Sequence, residues 1–266
     1  MALDQASPGR RVSVVTGATS GIGRALALAL ARRGDLVVAV GRTPGHLAAT
    51  AAALALAGPA AHQVLALNVA STADMAALRR ALEGLGRVDL LIASAVLGRT
   101  GPAILPPRTR DLALADWQAM IDVNLHGVFL ANQAVLGLMR AAGDGDIVNI
   151  GSSTTPHGLR GTALAPAYCA AKFALASLGH SLAAELGPEG VRVRTVFPGS
   201  VDTPLIANTM LDGDFGGRIS PESFAQALLG LIDLGRDMVV PDPHLLPVPQ
   251  PGRRRGGVGT GPDRTT

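Results

Sequence analysis

RVSVVTGATSGIGRALALALARR, residues 11–33, decides the fold. Arg11 to Thr16 is a short β-branched run, and Gly21 to Arg33 carries apolar positions at helical spacing. Between them Gly17, Gly21 and Gly23 mark a tight turn. A buried strand that passes through a glycine-rich turn into a helix is how a β-α-β unit begins.

The rest of the chain repeats the alternation. Leu36 to Val40 (LVVAV) reads as a second strand, with a turn at Thr43-Pro44-Gly45 and a helix to about Ala57. Gln63–Leu67 and Val88–Ala93 are further strands, separated by a helix over Thr72–Leu85. Beyond a looser stretch, Gly98–Arg110, one long helix is expected from Leu114 to Ala142. Strands at Asp146–Ile150 and Val191–Phe197 flank a helix over Ala167–Leu186, and a helix over Pro221–Leu234 precedes an expected seventh strand at Asp237–Val240. Near-continuous apolar strands between helices imply a parallel sheet buried on both faces. Right-handed crossovers then give an α/β fold: a doubly wound, Rossmann-type parallel sheet of about seven strands with helices on both faces. No internal boundary or repeat interrupts it, so residues 1–251 read as one domain and 252–266 as a tail.

Composition narrows the function. Hydrophobic residues are 48% and charged residues 16%, ample for a core. The single cysteine, Cys169, excludes a disulfide framework and a cysteine-built metal site. His62, His126, His157 and His180 have no metal-ligand spacing, so no metal is expected. No run of about 18 apolar residues exists to span a membrane. Met1 to Arg11 lacks the basic and apolar regions of a secretory signal, and a cytoplasmic protein is expected. Arg253, Arg254, Arg255 and Arg264 against Asp263 account for the whole net charge of +3, which leaves residues 1–251 neutral. A neutral body with a short basic end is no footprint for nucleic acid, and that end is expected to be disordered.

Three places carry chemistry. The glycine turn lets backbone approach a pyrophosphate, with the N–H groups of the following helix aimed at it, which points to a dinucleotide. The second strand ends at Val40-Gly41-Arg42, with no acid to grip a ribose 2′-hydroxyl. Arg42 can instead pair with a 2′-phosphate, so NADP(H) is expected over NAD(H). The third is Tyr168-Cys169-Ala170-Ala171-Lys172, the only tyrosine and the only lysine of the chain. At i and i+4 they share a helical face, and the ammonium is expected to lower a phenol pKa that ordinarily lies near 10.

TGATSGIG, then VNLHG at Val123–Gly127, IVNIGSS at Ile147–Ser153, YCAAK and FPGSVDTP at Phe197–Pro204 occur in an order that resembles the short-chain dehydrogenase/reductase superfamily. Ser220-Pro221-Glu222 and MVVPDPHLLPVPQ (238–250) bear a weaker likeness to NADP-dependent 3-hydroxy acid dehydrogenases. The resemblance implies an NADPH-dependent ketoreductase or alcohol dehydrogenase acting on a small or biosynthetic carbonyl or alcohol substrate. It implies that Tyr168 is the acid/base, that Lys172 tunes it and holds the nicotinamide ribose, and that Asn124 holds a relay water. The carbonyl-polarising serine would be Ser152, with Ser153 its competitor. Gly17, Thr19, Ser20, Gly21, Ile22, Gly23, Arg42, Asn68, Val69, Ser94, Pro198, Gly199, Val201 and Thr203 would surround the cofactor. A homotetramer or homodimer built through Leu114–Ala142 and Ala167–Leu186 is also implied.

Two departures stand out. Ala93-Ser94-Ala95-Val96 replaces the family's Asn-Asn-Ala-Gly, which bears on cofactor affinity, and the loop Thr154–Pro166 is long. The alternatives are an NAD-linked alcohol dehydrogenase or a non-catalytic dinucleotide-binding sensor or scaffold. Val96–Arg110 and Leu205–Ile219, the expected substrate segments, carry no diagnostic charge cluster.

Overall fold

The computed structural model describes residues 9–98, 108–153, 165–205 and 217–248. The strands are β1 (Val12–Thr16), β2 (Leu36–Gly41), β3 (Gln63–Ala66), β4 (Leu90–Ala93), β5 (Gly145–Ile150), β6 (Val191–Pro198) and β7 (His244–Leu245). They form one seven-stranded sheet in the order β3-β2-β1-β4-β5-β6-β7, and every pairing is parallel. The helices are α1 (Gly21–Arg32), α2 (Pro44–Ala57), α3 (Thr72–Leu85), α4 (Leu114–Ile121), α5 (Gly127–Ala142), α6 (Pro166–Leu186) and α7 (Pro221–Ile232).

Strand residues alternate between two cores. Val12, Val14, Leu91, Ile147 and Val193 pack with α3, α5 and α6, while Val15, Ile92, Val148 and Val196 pack with α1 and α7. Burial on both faces is why these strands are mostly apolar. The order reverses between β1 and β4, so the crevice at a doubly wound sheet's switch point opens directly above the glycine turn.

The structure corrects two expectations. The seventh strand lies at His244–Leu245, after Asp237–Val240. Thr195, Phe197 and Gly199 of the β6 edge donate N–H bonds to the carbonyls of Pro241, Pro243 and Leu245. Pro241 and Pro243 cannot donate back, so pairing is one-sided until the chain reaches His244. The expected helix Leu114–Ala142 is interrupted at Asp122–His126 by a π-helical segment that joins α4 to α5.

Candidate active site

The glycine turn is shaped by close approach. Gly17 has φ +68°, and a Cβ there would come within 2.7 Å of Ala95 Cα. A Cβ on Gly23 would come within 2.3 Å of the Gly17 carbonyl oxygen, so α1 can begin this close to β1 only with glycine. Ser20 is the N-cap of α1, yet its side chain caps no first-turn N–H, and no acidic residue occupies that turn. The cradle therefore fits an anionic pyrophosphate at Gly21-Ile22-Gly23. Thr203, carried over from the end of β6, lies against Gly21: its Cγ2 is 3.0 Å from where a Cβ would stand.

The segment after β4 is held by its backbone. The Thr16 hydroxyl accepts hydrogen bonds from Ser94 N (3.1 Å) and Ala95 N (3.2 Å). Asn124, buried in the π segment, accepts from Leu97 N at 2.7 Å and donates to Leu97 O at 2.8 Å. These contacts, from Thr16 to Ser94 and Ala95 and from Asn124 to Leu97, hold the segment that here lacks asparagines of its own. Asn149, in register with Ala93, is buried, and neither of its amide atoms has a hydrogen-bond partner among the described residues.

Ser152 follows β5, is nearly buried, and its hydroxyl is hydrogen-bonded to that of Tyr168. The bond with Tyr168 is made by Ser152, while the Ser153 backbone N–H donates to Pro198 O at 2.9 Å. Tyr168 and Lys172 lie one turn apart near the start of α6. Lys172 is 2% exposed and donates to Ile150 O at 2.6 Å, while its Nζ stands 6.0 Å from the Tyr168 ring centre. Burial draws the ammonium down to about 8. The expected lowering of the phenol is reversed. Burial pushes Tyr168 above its ordinary value, and the bond with Ser152 pulls the other way more weakly.

The remaining predicted residues cluster unevenly. Pro198 ends β6, Gly199 N donates to Leu245 O at 2.8 Å, and Val201 is buried and bridged to Ile219. Val69 is buried beside Gly127. Arg42 is exposed just beyond β2, where Gly41 stands in place of an acid. Asn68 is exposed and spends its side-chain oxygen on Ala70 N at 3.2 Å, which caps the turn into α3. Thr19 is half-buried beside the end of β2, and Ser20 and Ile22 lie at the start of α1. The sequence reading missed the backbone anchors: the Ile150 carbonyl, the Leu97 peptide and the Thr16 hydroxyl. Only Thr16 had a signal, as the first residue of TGATSGIG. The long loop, His157, most of both expected substrate segments and the tail lie outside the described residues. No helix among the described residues is long and apolar enough to cross a membrane.

Residues 11–212 match the short chain dehydrogenase family. D-threitol dehydrogenase of Mycolicibacterium smegmatis is 40% identical over 196 residues, 73% of this chain and 72% of that protein. An alcohol dehydrogenase from the archaeon Thermococcus sibiricus, solved with 5-hydroxy-NADP, superposes with a TM-score of 0.78. It is 28% identical, over 91% of this chain and 98% of that one. A 3-ketoacyl-(acyl-carrier-protein) reductase from Brucella melitensis, solved with NADH, gives a TM-score of 0.77 at 26% identity, over 89% of this chain and 96% of that one. Fold, ordered motifs and relatives agree: this chain belongs to the short-chain dehydrogenase/reductase family of oxidoreductases.

Proposed function

We propose that the chain is an NADPH-preferring ketoreductase or alcohol dehydrogenase for a small or biosynthetic carbonyl substrate. The hydrogen-bonded Ser152–Tyr168 pair, with Lys172 buried beside it, carries this reading. Ser152 would hold the carbonyl oxygen and Tyr168 would donate its proton to it. Bound at the glycine cradle and at Pro198–Thr203, the nicotinamide cofactor supplies or accepts the hydride. A phenol held above its ordinary value stays protonated at neutral pH, which suits a proton donor and so carbonyl reduction. Lys172, near 8, is the group of this cluster able to exchange a proton close to neutrality. The Asn124 side chain is committed to Leu97, so its contribution to a relay water would come from its main-chain carbonyl. A scaffold gains nothing from an ammonium buried, among the described residues, without a carboxylate, which argues against the non-catalytic alternative.

Tyr168→Phe removes only a hydroxyl and should lower kcat by about 10²–10⁴-fold. NADPH affinity, measured in parallel by fluorescence titration, should stay within a few fold of the parent. Wild-type turnover in this variant would refute the mechanism.

The cofactor preference rests on Arg42 and on the missing acid at Gly41. Arg42→Ala should remove a charge-assisted pair with the 2′-phosphate, worth about 1.5–3 kcal/mol for NADPH and little for NADH. Equal losses for both would mean that Arg42 does not read the phosphate. An NAD-linked enzyme oxidising an alcohol is the second reading, favoured by the threitol dehydrogenase relative and the NADH-bound neighbour. Phe129 on α5 and Phe173 on α6 are 45% and 49% exposed, which supports assembly of a homodimer or homotetramer through these helices.

A further inference from the structure

Gly41 ends β2, and its backbone does not call for glycine, because it is not among the described glycines with positive φ. Space calls for it. A Cβ at Gly41 would stand 2.6 Å from Thr19 Cγ2, 3.5 Å from Thr19 Oγ1 and 3.4 Å from Leu47 Cδ2. Carbons of residues this far apart in the chain do not approach to 2.6 Å, so any side chain here forces a neighbour to move.

The backbone is tied on both sides. Ala18 N donates to Val40 O at 3.1 Å and fastens the glycine turn to the end of β2. Leu67 N donates to Gly41 O at 2.9 Å and fastens β2 to the segment after β3. Leu47, a buried residue of α2, closes a third direction. The movement must therefore fall on the Thr19 side chain.

We propose that Thr19 is a specificity-determining residue that acts by occupying space. Its γ-methyl fills the place that an acidic side chain at position 41 would need. A carboxylate able to accept hydrogen bonds from a ribose 2′-hydroxyl is thereby shut out, and recognition falls to Arg42. The proposal rests on the reading above, in which the adenosine ribose of the cofactor lies at Gly41–Arg42. Arg42 selects for the phosphate, while Thr19 selects against the residue that would read the bare hydroxyl.

A double-mutant cycle separates the two ideas. Thr19→Ser keeps the hydroxyl and deletes the methyl. In thermal unfolding without cofactor, Gly41→Ala should lower Tm by on the order of 5 °C. Most of that loss should disappear in the Thr19→Ser background; additive shifts would overturn the contact. In equilibrium binding, Gly41→Asp alone should weaken both NADPH and NADH, since Thr19 is displaced. Combined with Thr19→Ser, it should move the affinity ratio towards NADH by at least about tenfold relative to Gly41→Asp alone. If Gly41→Asp folds only in the Thr19→Ser background, the steric claim is supported directly. A Gly41→Asp variant that binds NADH as tightly as the double variant overturns it. A parent protein that binds NADH better than NADPH overturns the Arg42 reading and the selectivity argument with it, while the thermal cycle still judges the Thr19 contact on its own.

Discussion

Two buried cations lie at opposite ends of the sheet, and they are treated differently. At the amino ends of β5 and β6, Arg194 is 1% exposed, yet it reaches Asp146 at 3.0 Å and the Leu231 carbonyl. Arg192 adds a two-point pair to the same carboxylate at 2.9 Å, and Arg236 a further contact at 3.0 Å. Arg192 also donates to the carbonyls of Ile232, Leu234, Gly235 and Met238, which ties down the C-terminal end of α7 and the chain beyond it. At the carboxyl end, Lys172 has the Ile150 carbonyl and no carboxylate ion pair among the described residues. Charge matched by charge is architecture. Burial lowers the Arg194 pKa as well, but Asp146 pulls it back, whereas no such counter-charge acts on Lys172 among the described residues, and a buried charge left in that state is a candidate for chemistry.

The largest effect should come from breaking the matched end. Asp146→Asn keeps shape and volume but leaves Arg192 and Arg194, whose side chains are 10% and 0% exposed, without their counter-charge. Removing one partner of a buried pair costs about 3–5 kcal/mol, here compounded by the loosened end of α7. Urea unfolding measures it. A loss below about 1 kcal/mol, the scale of an exposed pair, would mean that water screens the cluster and that the contrast between the two ends is false.

How much of this contrast could be read beforehand depended on the range of the interactions. The strands and the glycine turn are local patterns: apolar runs, then glycines, then helical spacing. Tyr168 and Lys172 were visible as residues four apart, whereas Ser152, with Ser153 its competitor, followed only from the family resemblance. The π segment was not visible, because Asp122–His126 reads as ordinary helix and the Asn124 grip on Leu97 spans 27 positions. The seventh strand was misplaced because Met238, Val239 and Val240 look like a strand, but the edge of β6 is met first by prolines. The phenol's direction was misread for a related reason. Spacing puts the ammonium on the right face, but only the fold shows it buried and turned to Ile150, with a half-buried tyrosine beside it. Asp146 with its three arginines involves residues 46 to 90 positions apart, beyond any local signal.

The smaller effect should come from neutralising the unmatched end, and it has the opposite sign. Lys172 titrates near 8 in the folded chain against an ordinary 10.5, so folding must bear the cost of burying its charge. Below pH 8 both states hold the proton and the full cost, about 3 kcal/mol, is present. Between pH 8 and 10 the unfolded chain binds more protons than the folded one, so stability rises with pH as the cost is shed. Lys172→Met lacks this titration. It should therefore gain stability relative to the parent near pH 7, reduced by about 1–3 kcal/mol for leaving the Ile150 carbonyl without its donor. The pH dependence is the cleaner reading: the parent should gain up to about 2 kcal/mol from pH 8 to 10 relative to Lys172→Met. Denaturant unfolding of both proteins across that range decides it. Parallel curves would mean that Lys172 keeps its ordinary value, and the buried ammonium would no longer mark the reactive end of the sheet. The variant should also be nearly inactive in carbonyl reduction, so that one substitution trades function for stability at this end of the sheet, where Asp146→Asn at the other loses stability alone.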